Sequence, residues 1–222
     1  MVDADVIVVG AGPVGMVAAL LAAHQGLDVL VLERDSSRHA QSRAIGITPP
    51  SLEIVQHLGL CSSFIANGIA VRSVRIHYGS RLLWTINFDQ IDGTYPFVLA
   101  IPQHITEDIL EKALLHAPSI RVLRGHAVQD VSANGNRVTA YGSYARQGRF
   151  HFTCRCLLGC DGGRSTTREA LGIPFRGGAD PHTFLMGDFE DSGTWGEDAC
   201  FFLPLEGLLK HFPSLMGSAA MS

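Results

Sequence analysis

Long uninterrupted apolar runs are missing from this 222-residue chain. The nearest, Val6 to Leu32, is broken by Gly10, Gly12, Gly15, His24, Gln25, Gly26 and Asp28, and falls short of the roughly 18 apolar residues a membrane span needs. No basic segment precedes it, so a secretory leader is not expected. Excess charge is missing too. The 17 Lys+Arg stand against 21 Asp+Glu, a net −4 that gives no electrostatic basis for binding nucleic acid or an anionic membrane. Cysteine is sparse, five in all without disulfide-like spacing, which points to a reducing compartment and a cytoplasmic location. Cys154, Cys156 and Cys160 form Cys-x-Cys-x-x-x-Cys, but on an apolar strand with no histidine at zinc-like spacing, so no metal is expected. The segment Gly163 to Thr167 resembles a nucleophile elbow, except that Thr167 stands where its last glycine belongs. No acid–base pair declares itself, and catalytic residues stay unassigned.

What is present starts at the N-terminus, in "DVIVVGAGPVG". Asp5 to Val9 is a short β-branched run fit for a buried parallel strand. Gly10, Gly12 and Gly15 then complete a G-x-G-x-x-G motif, with Pro13 and Val14 opening a helix that Gly26 can close. A second strand, Asp28 to Leu32, ends in Glu33, about 20 residues beyond the motif, where a dinucleotide fold places an acid for the ribose. Gly10 permits the tight turn, Gly12 lets backbone approach a pyrophosphate, and Gly15 lets helix and strand pack closely. The helix N-terminus offers unpaired N–H donors to phosphate. The motif by itself does not separate FAD from NAD.

The remainder alternates between helix and strand signals. Thr48 and Pro49 start a helix that Gly59 ends. Residues 71–78 and 81–87 read as a hairpin across Gly79-Ser80, and "PFVLAIPQ" as a further strand. A helix is predicted over 106–116, with Glu107 and Asp108 in its first turn. Strands follow near 120–124, 126–132 and 136–141, turning at Asn134-Gly135, then at 150–158, 182–190 and 199–203. Trp84 and Trp195 suit packing as well as ring stacking. This order predicts a βαβ domain interleaved with a mostly antiparallel β region.

The strand at 150–158 delivers "CDGGRSTTREALGI", a second glycine turn that opens a helix. Thr166 to Glu169 fits a capping box. A well-capped β–α turn would need nothing more.

Taken together, these segments resemble the FAD-dependent aromatic hydroxylases, the single-component flavoprotein monooxygenases of the p-hydroxybenzoate and phenol hydroxylase kind. The N-terminal motif, with Gly10, Gly12, Pro13, Val14, Gly15, Glu33 and Arg34, matches that family's ADP-binding element. Arg43 matches an arginine that contacts the flavin nucleotide, and Gln103 a glutamine that reaches the FAD phosphate or ribose. Asp161, Gly162, Ser165 and Arg168 fall on the positions of the family's Asp-Gly motif, implicated in holding the pyrophosphate and in NAD(P)H use.

The resemblance implies an α/β (α+β) chain: a Rossmann-like FAD domain over 1–70 and 100–175, and a β-rich substrate region over 71–99 and 176–213. It implies FAD as cofactor, NAD(P)H as electron donor, O2 and a small phenolic substrate as partners, and aromatic hydroxylation as the reaction. The family's third motif, Gly-Asp leading into a Pro- and Gly-rich turn, is not found, because Gly187-Asp188 continues through Phe189, Glu190 and Asp191. The chain is therefore expected to be truncated before the final FAD segment, with an unpatterned tail over 214–222 and weak or no activity alone. Self-association or a complementing C-terminal half would follow. The alternatives are another FAD- or NAD(P)-dependent oxidoreductase, or a non-catalytic nucleotide-binding remnant.

Overall fold

The computed structural model describes residues 2–38, 45–144, 148–178, 187–190, 196–203, 207–213 and 218–221. The chain runs through β1 (Ala4–Val9), α1 (Pro13–His24), β2 (Val29–Glu33), β3 (Gly46–Ile47), α2 (Pro49–His57), α3 (Cys61–Ala66), β4 (Ile69–Val71), β5 (Ser73–Tyr78), β6 (Arg81–Asn87) and β7 (Val98–Ala100). It continues through α4 (Gln103–Leu115), β8 (Ile120–Arg124), β9 (His126–Asn134), β10 (Arg137–Tyr144), β11 (Gly148–Gly159) and α5 (Thr166–Ala170). The strands β12 (Gly187–Glu190), β13 (Ala199–Phe202), β14 (Leu209–Phe212) and β15 (Ser218–Met221) complete it. The result is a mixed α/β fold of two interleaved units, one made of residues 1–40 and 107–178, the other of 41–106 and 179–222. The sequence reading placed these divisions nearer 70, 100 and 175. The short strands β3 and β4 both pair with β7, which draws residues 46–71 into the second unit.

The first unit is built on one sheet in the order β8-β2-β1-β11-β10-β9. Its β8-β2-β1-β11 half is parallel and its β11-β10-β9 half antiparallel. β1 lies at the centre of the parallel half, which explains its unbroken apolar sequence: Ile7, Val8, Leu30 and Val31 are all fully buried. Helix α1 packs here through Gly15, Met16, Ala19 and Leu20. On the antiparallel half, Phe150 lies between Phe152 and His126, and His126 stacks on Tyr144.

The second unit holds a six-stranded sheet, β12-β15-β14-β13-β5-β6, and the small sheet β3-β7-β4. Val71, Val74, Ala100 and Ala199 form its core, lined by Ile69, Ile76, Phe88, Phe201 and Phe212. Asp198 ties β13 to β5, accepting from Ser73 Oγ (2.5 Å) and pairing with Arg75. Edge strand β6 is exposed throughout, Trp84 included.

Two expectations are corrected. Helix α4 begins at Gln103, not Thr106, because the Pro102 carbonyl accepts from the Ile105 and Thr106 amides. Glu107 and Asp108 therefore fall beyond the first turn. Residues 214–222 showed no pattern in sequence, yet Ser218–Met221 forms β15 between β12 and β14. Alanine and serine carry little strand propensity, so backbone pairing decides there. The strand expected over 182–190 is described only at 187–190; Trp195 lies outside the described residues.

All five cysteines are free thiols. Cys154 and Cys200 are fully buried and Cys156 is exposed. Burial pushes the Cys154 thiol above its ordinary value. Thiol titration of the native chain is expected to label Cys156 quickly and Cys154 and Cys200 only on unfolding. Rapid labelling of all five would contradict this packing.

Candidate functional site

Where β1 ends, the chain must turn sharply and open a helix. Gly10 does so at φ +101°, a conformation that L side chains rarely adopt, while its N–H donates to the Leu32 carbonyl (2.8 Å). A Cβ on Gly10 would stand 2.5 Å from the Cys160 carbonyl oxygen, and one on Gly15 would stand 2.0 Å from the Gly10 carbonyl oxygen. These two glycines let strand, helix and neighbouring turn meet.

Gly12 differs, because nothing lies within 4 Å of where its Cβ would be. It is the N-cap of α1, with Pro13 opening the helix, no side-chain cap and no acid in the first turn. Backbone amides uncapped by any side chain, beneath open space, make a cradle suited to a phosphate. The residues present fit a dinucleotide.

Glu33 closes β2 beside this turn. Its Oε2 accepts from the Ala11 N–H (2.6 Å) and its Oε1 from the Asp35 N–H (2.9 Å). A carboxylate oxygen has two lone pairs, so both retain capacity for a ribose hydroxyl. Arg34 is exposed and loosely paired with Asp35 at 4.0 Å.

The second glycine turn arrives next door. β11 runs parallel to β1 with Gly159 in register with Val9, and the Cys160 N–H donates to the Val9 carbonyl (2.8 Å). Both turns thus leave the same end of adjacent parallel strands, the edge where open α/β sheets bind ligands. Asp161 is turned inward on its own loop. Ser165 Oγ donates to one carboxylate oxygen (2.5 Å) and the Thr167 N–H to the other (3.0 Å). Burial pushes the Asp161 carboxyl up, but these hydrogen bonds outweigh it and hold the group below its ordinary value.

Ser165 also accepts from the Arg168 N–H (3.0 Å), which makes Ser165 the N-cap of α5. The expected cap, Thr166 with Glu169, is displaced by one residue because Asp161 already fixes the Ser165 hydroxyl. Arg168 donates to the Gly163 carbonyl (2.9 Å) and lies over the Phe175 ring, 4.8 Å from its centroid. Gly162 turns the chain at φ +83°.

One unit therefore carries Gly10, Gly12, Pro13, Val14, Gly15, Glu33, Arg34, Asp161, Gly162, Ser165 and Arg168. Gln103 opens α4 and belongs to the second unit. Arg43 lies outside the described residues. Sequence reasoning missed Ala11, Cys160 and Thr167, which act through backbone atoms that carry no residue-type signal. Cys160 was legible only as part of a strand; its half-buried thiol is pushed up by burial and by the nearby Asp161 charge. Among the described residues no three His, Cys, Asp or Glu gather as a metal site, and no helix is long and apolar enough to cross a membrane.

Comparison with known proteins agrees with this geometry. Rifampicin monooxygenase of Streptomyces venezuelae is 35% identical over 188 residues, 84% of this chain and 37% of that protein. Among solved structures, an aromatic hydroxylase from angucycline biosynthesis superposes with a TM-score of 0.77 at 31% identity, over 99% of this chain and 43% of that one. The p-nitrophenol 4-monooxygenase of Pseudomonas putida shares the fold, with a TM-score of 0.86 at 23% identity over 98% of this chain and 56% of that one. The chain spans less than half the length of the curated relatives it matches. Residues 3–195 match the FAD binding domain family, and the chain belongs to that family.

Proposed function

We propose that this chain holds the FAD of an NAD(P)H- and O2-dependent monooxygenase that hydroxylates a small phenolic or aromatic substrate. The observation that carries the reading is the meeting of the two glycine turns at Cys160, beside an open, uncapped helix N-terminus. In this reading Gly10, Gly12, Pro13, Val14 and Gly15 present backbone to the pyrophosphate. Glu33 accepts from the adenosine ribose and Arg34 flanks it. Gly162 keeps the second turn short, while Asp161, Ser165 and Arg168 hold its shape. Arg43 and Gln103 serve the flavin nucleotide. When bound, FAD supplies the redox and oxygen chemistry; the residues named here bind and orient.

Residues 1–70 and 100–175 are assigned the FAD-binding role and the β-rich 71–99 and 176–213 the substrate region. Five free thiols favour a cytoplasmic setting. Because the relatives are more than twice as long, these 222 residues are proposed to hold FAD weakly and turn over little alone, gaining activity from a complementing C-terminal segment or by self-association.

The test is oxygen-dependent NAD(P)H oxidation with a panel of phenols, for the chain alone and with the remaining segment of a relative supplied in trans. Phenol-stimulated oxidation in the mixture supports the reading. Flavin binding with no phenol stimulation points to another oxidoreductase, and no flavin binding to a remnant.

A further inference from the structure

Beside Glu33, two arginines and two carboxylates form a connected network. Arg38 Nη1 meets Asp108 Oδ1 at 2.5 Å, and its Nε meets Glu111 Oε2 at 3.2 Å. The other oxygen of Glu111 accepts from Arg124 Nη2 at 2.8 Å. Arg124 stands opposite Glu33 in the parallel register of β2 and β8. The next residue, Gly125, donates its N–H to the Asp35 carbonyl (3.2 Å), and the Asp35 N–H donates to Glu33. The loop after β2 is thus fastened at both ends, at Asp35 by Glu33 and Gly125 and at Arg38 by helix α4.

The arrangement is more than a set of surface ion pairs, which individually contribute little. One guanidinium engages two carboxylates, and one carboxylate bridges two guanidiniums, a geometry that the planar fork of arginine suits and lysine does not. The Asp108 hydrogen bond lifts the Arg38 guanidinium above its usual value despite some burial.

We propose that Arg38, Glu111 and Arg124 are positioning residues for Glu33: they hold the loop that orients its carboxylate toward the ribose of a bound adenosine diphosphate. The inference rests on the FAD reading above and adds to it residues that act through Glu33. Loosening the relay lets Asp35 drift, and Glu33 then loses the amide that fixes Oε1. The phosphate cradle at Gly12 is untouched. A relay defect should therefore weaken ligands that offer the ribose 2′-hydroxyl and spare those that lack it.

ADP and 2′-deoxy-ADP are titrated calorimetrically into the full chain, as wild type and as Arg38→Met, Arg38→Lys and Glu111→Gln. A charge-assisted hydrogen bond lost to the ribose should raise the ADP Kd about tenfold in Arg38→Met, with the 2′-deoxy-ADP Kd moving less than about twofold. Arg38→Lys should fall between, and Glu111→Gln should repeat the pattern should Arg38→Met fold poorly. Equal weakening of both ligands in the folded variants, or no weakening, overturns the relay while leaving the cofactor reading intact. A wild-type chain that binds neither ADP nor FAD overturns both.

Discussion

Gly15→Ala is expected to unfold at markedly lower denaturant than the wild-type chain, whereas Gly12→Ala loses its ligand at a smaller cost in stability, that of a poorer N-cap. The two glycines sit in one motif but meet different surroundings. A methyl on Gly15 would stand 2.0 Å from the Gly10 carbonyl oxygen and 3.3 Å from the Cys160 Cβ, so relief requires backbone movement at the centre of the parallel sheet. Overpacking of this kind costs about 1–3 kcal/mol, and a clash with backbone belongs at the upper end. A methyl on Gly12 meets nothing within 4 Å. It would occupy only the space through which a pyrophosphate approaches the α1 amides, and FAD affinity should fall by about tenfold or more. Urea unfolding and flavin titration of both variants separate the effects. Equal stability in Gly15→Ala, or unchanged affinity in Gly12→Ala, would contradict the assignment of packing to one glycine and phosphate access to the other.

Asp161→Asn carries the second large effect. The carboxylate accepts from the Ser165 hydroxyl and the Thr167 amide, so it fastens the turn to the start of α5. An asparagine keeps one acceptor oxygen and loses the charge. Hydrogen bonds to a charged group contribute roughly 1.5–3 kcal/mol, and partial exposure of this one favours the lower part of that range. The pH dependence has a definite sign. The folded-state carboxyl lies below its ordinary value, so its contribution is complete above the unfolded value of about 3.9 and is lost as pH falls through the depressed folded one. Wild type and Asp161→Asn should therefore differ in stability by a constant amount from about pH 5 to 8 and converge in acid below about pH 4. A difference that persists undiminished into acid would mean the carboxylate is not the fastening group.

Local signals account for what was legible in the sequence. The fingerprint needs only one strand, one turn and one helix, and the spacing to Glu33 follows from helix and strand lengths. The apolar run of β1 is dictated by its central place between β2 and β11. Where the reading slipped, a hydrogen-bond partner that residue type does not announce decided the outcome. Asp161 reaches Ser165 and moves the helix cap away from Thr166. The carbonyl of Pro102 starts α4 three residues before Thr106, the residue whose chemistry suggested a start. The sequence 218–221 becomes a strand through its partners on both sides. The relay of Arg38, Glu111 and Arg124 could not be read at all, because it joins three segments by side chains of a type that usually only faces solvent.

FAD retention by this chain is the most direct test of the two glycine turns as a cofactor site. The purified chain is passed through a gel-filtration column equilibrated with FAD, so that a weakly held flavin is not stripped, and the excess visible absorption at the protein peak is recorded beside that of Gly12→Ala. Excess flavin absorption that travels with the wild-type protein and is weakened in the variant is the predicted result. A folded wild-type chain that shows no excess at any FAD concentration tried, or a variant that retains flavin equally well, would contradict the claim that the two glycine turns form the cofactor site.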